Sequence, residues 1–181
     1  MGVDKNIVLI GFMGTGKSSV GKILAKKLNR TWVDVDHCIE EKEKRKIAEI
    51  FEREGEGYFR RLEKDMVKEV AEGTDLIITT GGGVVIDAEN VEALRKKGFL
   101  IALTATPETI FQRVNGSRHR PLLKNADKMG EIRRLLEQRR PFYAKADRLF
   151  STDGKTAAQV ADAIVDALEK EEEFEFGKDR F

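Results

Sequence analysis

A chain of 181 residues suffices for one domain with a full core covered by helices on two sides, and is too short for a second large domain. Lys plus Arg number 33 against 32 Asp plus Glu, a formal net charge of +1, so no global field favours nucleic acid or a membrane surface. Cys38, the single cysteine, excludes an internal disulfide or a multi-cysteine metal site, and no apolar run approaches the ~18 residues of a membrane span.

At the N-terminus, Met1-Gly2-Val3-Asp4-Lys5 lacks the basic-then-apolar form of a signal peptide, so a cytoplasmic protein is expected. The run Ile7-Val8-Leu9-Ile10 reads as a strand and leads into Gly11-Phe12-Met13-Gly14-Thr15-Gly16-Lys17-Ser18, the pattern of a phosphate-binding loop. Its glycines let successive backbone N–H groups curl around phosphate oxygens where a Cβ would block close approach. The helix expected from near Gly16 aims its positive end at the same anion, with Lys17 reaching the β/γ-phosphates and Ser18 coordinating Mg²⁺. Val20, Ile23, Leu24 and Leu28 follow at helical spacing, the context such a loop requires.

Residues 31–36 alternate apolar and acidic side chains like a strand, which puts Asp34 and Asp36 on one face. Charge on a buried strand is costly unless it serves a cation or ligand; an edge strand with a wet face is the alternative. A charged helix is expected over 37–46, then Ile47, Ile50 and Phe51 at amphipathic spacing, a break at Gly55 and Gly57, and a longer helix to about 72. On that helix Arg60 and Glu63 lie three apart on one face, which by itself reads more often as a surface ion pair than as a site.

A short β-rich run, Leu76-Ile77-Ile78-Thr79-Thr80, ends in Gly81-Gly82-Gly83, which permits either the close approach of a substrate or a plain sharp turn. A helix over 87–97 is expected to end at Gly98 as a C′ glycine, followed by the wholly apolar strand Phe99-Leu100-Ile101-Ala102-Leu103. Pro107 fits the first turn of a helix to about 114. The polar, basic stretch 115–121 is either a lid delivering arginine to a phosphate or a solvated loop, and neither His37 nor His119 joins a ligand-spaced cluster.

A charged helix over 128–144 carries Arg133, Arg134, Arg139 and Arg140, most of them expected in solvent, with Pro141 near its end. Arg148-Leu149-Phe150-Ser151 supplies a fifth strand, and 156–168 an amphipathic helix through Ala157, Val160, Ile164, Val165 and Leu168, before an acidic tail expected to fray. The alternation predicts a three-layer α/β/α domain around a mostly parallel five-stranded sheet, with the glycine loop and the two aspartates at one carboxyl edge.

The motifs taken together resemble the shikimate kinases, P-loop small-molecule kinases of nucleoside monophosphate kinase-like fold, over residues 5–168. The carriers are the loop through Ser19-Val20-Gly21, Asp34-Val35-Asp36, Gly55-Glu56-Gly57-Tyr58-Phe59-Arg60-Arg61-Leu62-Glu63, Gly81-Gly82-Gly83, Arg120-Pro121-Leu122 and Arg139-Arg140-Pro141-Phe142-Tyr143, in the family's order. The resemblance implies transfer of the ATP γ-phosphoryl to the 3-hydroxyl of shikimate, toward chorismate and the aromatic amino acids.

It also implies roles. Gly14, Thr15, Gly16, Lys17, Ser18 and Ser19 would hold the nucleotide phosphates, Ser18 and Asp34 one Mg²⁺ and its water shell, and Arg113 would lie by the adenine, facing the loop after Ser151. Asp36 would contact the acceptor hydroxyl, Arg60 and Arg139 would clamp the shikimate carboxylate, and Gly82 would offer its backbone to a ring hydroxyl. Arg120 would swing in with a mobile lid at about 114–126 and neutralise developing charge, in a single domain spanning 1–181 with its tail from about 169. The expected partners are ATP, ADP and shikimate, with no nucleic acid or membrane, for a monomer. A gluconate or nucleoside monophosphate kinase is the nearest rival. A regulatory GTPase or nucleic-acid motor lacks support, since there is no Asn-Lys-x-Asp sequence and no four-residue apolar run ending in Asp-Glu.

Overall fold

The computed structural model describes residues 5–115 and 127–178. Five strands, β1 (Asn6–Gly11), β2 (Thr31–Asp34), β3 (Leu76–Thr79), β4 (Gly98–Thr104) and β5 (Arg148–Ser151), form one sheet in the order β2-β3-β1-β4-β5, with all four pairings parallel. Helices α1 (Lys17–Leu28), α2 (Val35–Glu43), α3 (Ile47–Ala71), α4 (Ala88–Lys96), α5 (Pro107–Val114), α6 (Lys128–Tyr143) and α7 (Ala157–Lys178) connect or follow them.

Period-two alternation along β1 divides the core. Ile7 and Leu9 face one side, packing with Val20 and Leu24 of α1 and Val160 and Ile164 of α7. Val8 and Ile10 face the other, packing with Val35, Ile50, Val67, Leu94 and Ile132 from α2, α3, α4 and α6. Every β1 residue is buried, so the strand needs an apolar side chain on both faces and reads as a continuous run. β1 and β4 are neighbours, yet their outgoing connections lead to opposite edges of the sheet, which opens a crevice at their carboxyl ends.

Four expectations change. β2 stops at Asp34, whose side chain accepts the His37 N–H at 3.2 Å and so caps α2; Asp36 therefore sits in the first turn of that helix, not beside Asp34 on a strand face. α3 has non-helical backbone at Gly55 (φ 80°, ψ 173°), the expected break, while Gly57 is helical. Gly98 opens β4 directly and has no positive φ; a side chain there would strike the Leu94 carbonyl, so close packing of α4 on the strand excludes a Cβ. The backbone of α7 continues to Lys178, past the point where fraying was expected. Apart from Val114 and Asn115, the expected lid, with His119 and Arg120, lies outside the described residues.

Candidate active site

The loop after β1 has the backbone its sequence demands. Gly11, Gly14 and Gly16 have φ of 141°, 78° and 91°, values that L side chains rarely adopt. Thr15 is buried and donates its hydroxyl to the Phe12 carbonyl at 2.7 Å, which ties the loop to itself. Lys17 opens α1 and curls over the loop, its ammonium donating to the Gly11 and Phe12 carbonyls at 2.8 and 2.9 Å. The first turn of α1 carries no acidic residue of its own that would compete with a bound anion for the positive end of the helix.

Beside the loop, the Ser18 hydroxyl donates to Asp34 Oδ2 at 2.9 Å. The hydroxyl of Thr79, at the end of the adjacent strand, donates to the same oxygen at 2.8 Å. Arg113 of α5 reaches the other flank: its guanidinium donates to Thr152 Oγ1 and O, each at 2.8 Å, and to the Gly14 carbonyl at 3.2 Å. The loop after β5 and the phosphate loop are thereby joined.

Gly14, Gly16, Lys17, Ser18, Asp34 and Arg113 line a cavity of about 970 Å³ that is also lined by Phe51, Phe59, Arg60, Glu63, Gly81 to Gly83 and Arg139. Asp36 and Ser19 also line it. The glycine triplet is a close-approach surface. A Cβ on Gly81 would fall 2.9 Å from Asp36 Oδ1 and 3.1 Å from Glu63 Oε1, and one on Gly82 would fall 3.2 Å from the Met13 nitrogen. One on Gly83 would fall 2.5 Å from both terminal nitrogens of Arg60. Side chains at these positions would displace two carboxylates and a guanidinium from the cavity wall.

The Arg60–Glu63 pair is no surface ornament. Glu63 is 1 % exposed, and its Oε2 accepts from Arg60 Nη1 at 2.7 Å. Burial pushes the Glu63 carboxyl above its ordinary range, against the opposing pull of Arg60 and then Arg139. The outer edge of the Arg60 fork rests on the exposed Glu56 Oε1 at 3.2 and 2.9 Å. Arg139 is also buried, 4 % exposed, with its guanidinium 5.6 Å from the centre of the Phe12 ring. The adjoining Arg61 and Arg140 are exposed and do not line this cavity.

Three contributors have no role assigned from the sequence. Tyr143, one turn beyond Arg139 on the same face of α6, donates its hydroxyl to the Gly82 carbonyl at 2.6 Å. Burial, opposed by Arg139 and Arg60, pushes its phenol up to about 12, so it stays a donor at physiological pH. Glu63 was visible only as a helix neighbour of Arg60, and Thr79 only as part of a β-rich run. Among the described residues no three His, Cys, Asp or Glu side chains gather as a metal cage. Ser18 with Asp34 nevertheless fits Mg²⁺, which takes hard oxygen ligands, keeps several waters and is held largely by substrate phosphates.

Known proteins resemble this chain in sequence and in fold. A family model described as shikimate kinase matches residues 13–169. The shikimate kinase of Persephonella marina is 45% identical over 161 residues, covering 89% of this chain and 97% of its own. A solved structure of shikimate kinase from Acinetobacter baumannii in complex with shikimate superposes with a TM-score of 0.90 at 36% identity, covering 92% of this chain and 94% of that one. A gluconokinase from Sinorhizobium meliloti reaches a TM-score of 0.64 at 14% identity, over 97% of each chain, a likeness of fold alone.

Proposed function

The chain belongs to the shikimate kinase family, and from that premise we propose how its cavity carries out the ATP-dependent phosphorylation of shikimate at the 3-hydroxyl. The observation that carries the reading is the junction of two unlike half-sites in one cavity, a phosphate loop and two buried or half-buried guanidinium groups.

ATP places its phosphates on the backbone N–H groups of Gly14 to Ser19 and at the positive end of α1, with Lys17 leaving the loop carbonyls for the β/γ-phosphate oxygens. Arg113 flanks the adenine. Ser18 would hold Mg²⁺ and Asp34 its water shell, and the bound ion would neutralise charge on the phosphate oxygens.

Shikimate enters with its carboxylate between Arg60 and Arg139. The exposed Glu56 yields its place on the Arg60 fork, while the buried Glu63 keeps the guanidinium in plane. Gly82 offers its backbone to a ring hydroxyl, and Asp36 accepts the hydrogen bond of the 3-hydroxyl, aiming it in line with the γ-phosphate. Positioning and charge neutralisation are what phosphoryl transfer needs most from the protein. Arg120, outside the described residues, adds positive charge to the transferring group in this reading. One chain supplies both half-sites, which supports action as a monomer and as a single domain. Reliance on ATP and a free Cys38 suit the cytoplasm, and a balanced charge gives nucleic acid and membranes no hold.

ADP release measured against a panel of acceptors tests this. A sharp rise on adding shikimate is expected; activity with gluconate or a nucleoside monophosphate and none with shikimate would overturn it.

A further inference from the structure

The Asp34 carboxylate is fixed from three sides. Ser18 and Thr79 hydroxyls both donate to Oδ2, at 2.9 and 2.8 Å, and the His37 N–H donates to Oδ1 at 3.2 Å. Ser18 belongs to the phosphate loop and His37 to the helix cap. Thr79 has neither reason to be there. It is 0 % exposed, and it stands directly across the β2–β3 ladder from Asp34.

A valine would fill the same space without a hydroxyl to desolvate, so a buried threonine is favourable only if its polar capacity is used. Both halves of it are. The Trp32 indole N–H donates to Thr79 Oγ1 at 3.2 Å, and Thr79 has one proton of its own to give. The Val33 carbonyl is 3.4 Å away against 2.8 Å for Asp34, so that proton goes to the carboxylate. The indole is held in turn: the Lys22 ammonium lies 4.6 Å from the ring centre. α1 passes so close that a Cβ on Gly21 would fall 2.6 Å from Thr79 Cγ2 and 3.1 Å from Trp32 Nε1.

We propose that Thr79 is a positioning residue for the metal side of the reaction. The directed chain from the Trp32 indole through the Thr79 hydroxyl locks Asp34 Oδ2 against Ser18, and Trp32 registers occupancy of that site. The inference rests on the reading in which Asp34 supports Mg²⁺ bound with the nucleotide. Trp32 is the only tryptophan in the chain, so its emission isolates this spot.

The test compares Thr79→Val, Thr79→Ser, Trp32→Phe and Asp34→Asn with the parent. Three quantities are read: Mn²⁺ binding in the presence of ADP, from the paramagnetic resonance of free Mn²⁺; the Mg²⁺ concentration giving half-maximal turnover; and the KM for shikimate. Thr79→Val should weaken Mn²⁺ binding about tenfold and raise the Mg²⁺ requirement alike, with shikimate KM moving less than about twofold. Thr79→Ser should restore the parent values. Trp32→Phe, which keeps a ring and loses the donor, should fall between and covers the case in which Thr79→Val does not fold. Adding Mg²⁺ and ADP should shift Trp32 emission in the parent and not in Thr79→Val.

If Asp34→Asn weakens Mn²⁺ binding while Thr79→Val and Trp32→Phe bind it as the parent does, the relay is wrong and the reading of Asp34 stands. If Asp34→Asn leaves Mn²⁺ binding unchanged, that reading falls and the relay with it. Equal losses of metal and shikimate affinity in Thr79→Val would mark a general loosening of the sheet edge and overturn the positioning role.

Discussion

Tyr143 and Gly82, 61 residues apart in the chain, are joined by a 2.6 Å hydrogen bond from the phenol to the backbone carbonyl. The bond pins the glycine turn after β3 to the helix that carries Arg139, joining two distant segments of the cavity wall. Tyr143→Phe should leave the Gly82 carbonyl without its partner and cost about 1–3 kcal/mol of stability in urea unfolding. Shikimate KM should rise more than the KM for ATP; equal rises would mean that the bond serves stability alone.

Arg139 and Arg140 are sequence neighbours with opposite environments, one buried in the cavity wall and one in solvent. Arg139→Ala should remove a charge-assisted contact of about 1.5–3 kcal/mol, roughly a 10- to 100-fold rise in shikimate KM. The KM for ATP should change far less, and Arg140→Ala should change neither. Steady-state kinetics with each substrate varied in turn decides; equal effects of Arg139→Ala on both KM values would count against the clamp.

Gly83 has an ordinary backbone, φ −98° and ψ −5°, so alanine there meets no backbone strain. Its Cβ would instead press on the Arg60 guanidinium. Gly83→Ala should therefore keep its melting temperature within a few degrees while shikimate KM climbs, and a loss of fold without a KM effect would refute the account.

Two glutamates should respond to acid with opposite signs. Glu40 is lowered: burial pulls its value upward, but the Lys46 ammonium at 2.7 Å and the Ile47 N–H at 3.0 Å outweigh it. Its contribution to stability is complete above the ordinary glutamate value of 4.5 and drains away as pH falls through its lowered folded value. Glu63 is raised, chiefly by burial, so its contribution is present below 4.5 and is lost as pH rises through its folded value. Urea unfolding from pH 3 to 7 should show the gap between parent and Glu40→Gln closing toward acid. Relative to Glu63→Gln, the parent should gain stability over the same fall in pH.

The local pattern carried much of this protein. The phosphate loop, the helix after it, the apolar strands β1 and β4, the break at Gly55 and the parallel α/β order all follow from residues within a few positions of one another. Steric freedom at glycine, side-chain period and the orientation of a helix end are short-range properties. The family resemblance rests on the same short stretches, and it named Arg60, Arg139 and Asp36 without their surroundings.

What only the tertiary structure decided is where burial and pairing fall. The cap that Asp34 makes on His37 ended β2 early and moved Asp36 onto a helix. Arg60 with Glu63 could have faced water; packing against the glycine triplet buried Glu63 and made it a fixed partner. Tyr143 on Gly82 and Thr79 on Asp34 span 61 and 45 residues. No local spacing encodes such contacts, because the free energy of a polar group depends on whether water can reach it. That is settled only when distant segments close over it.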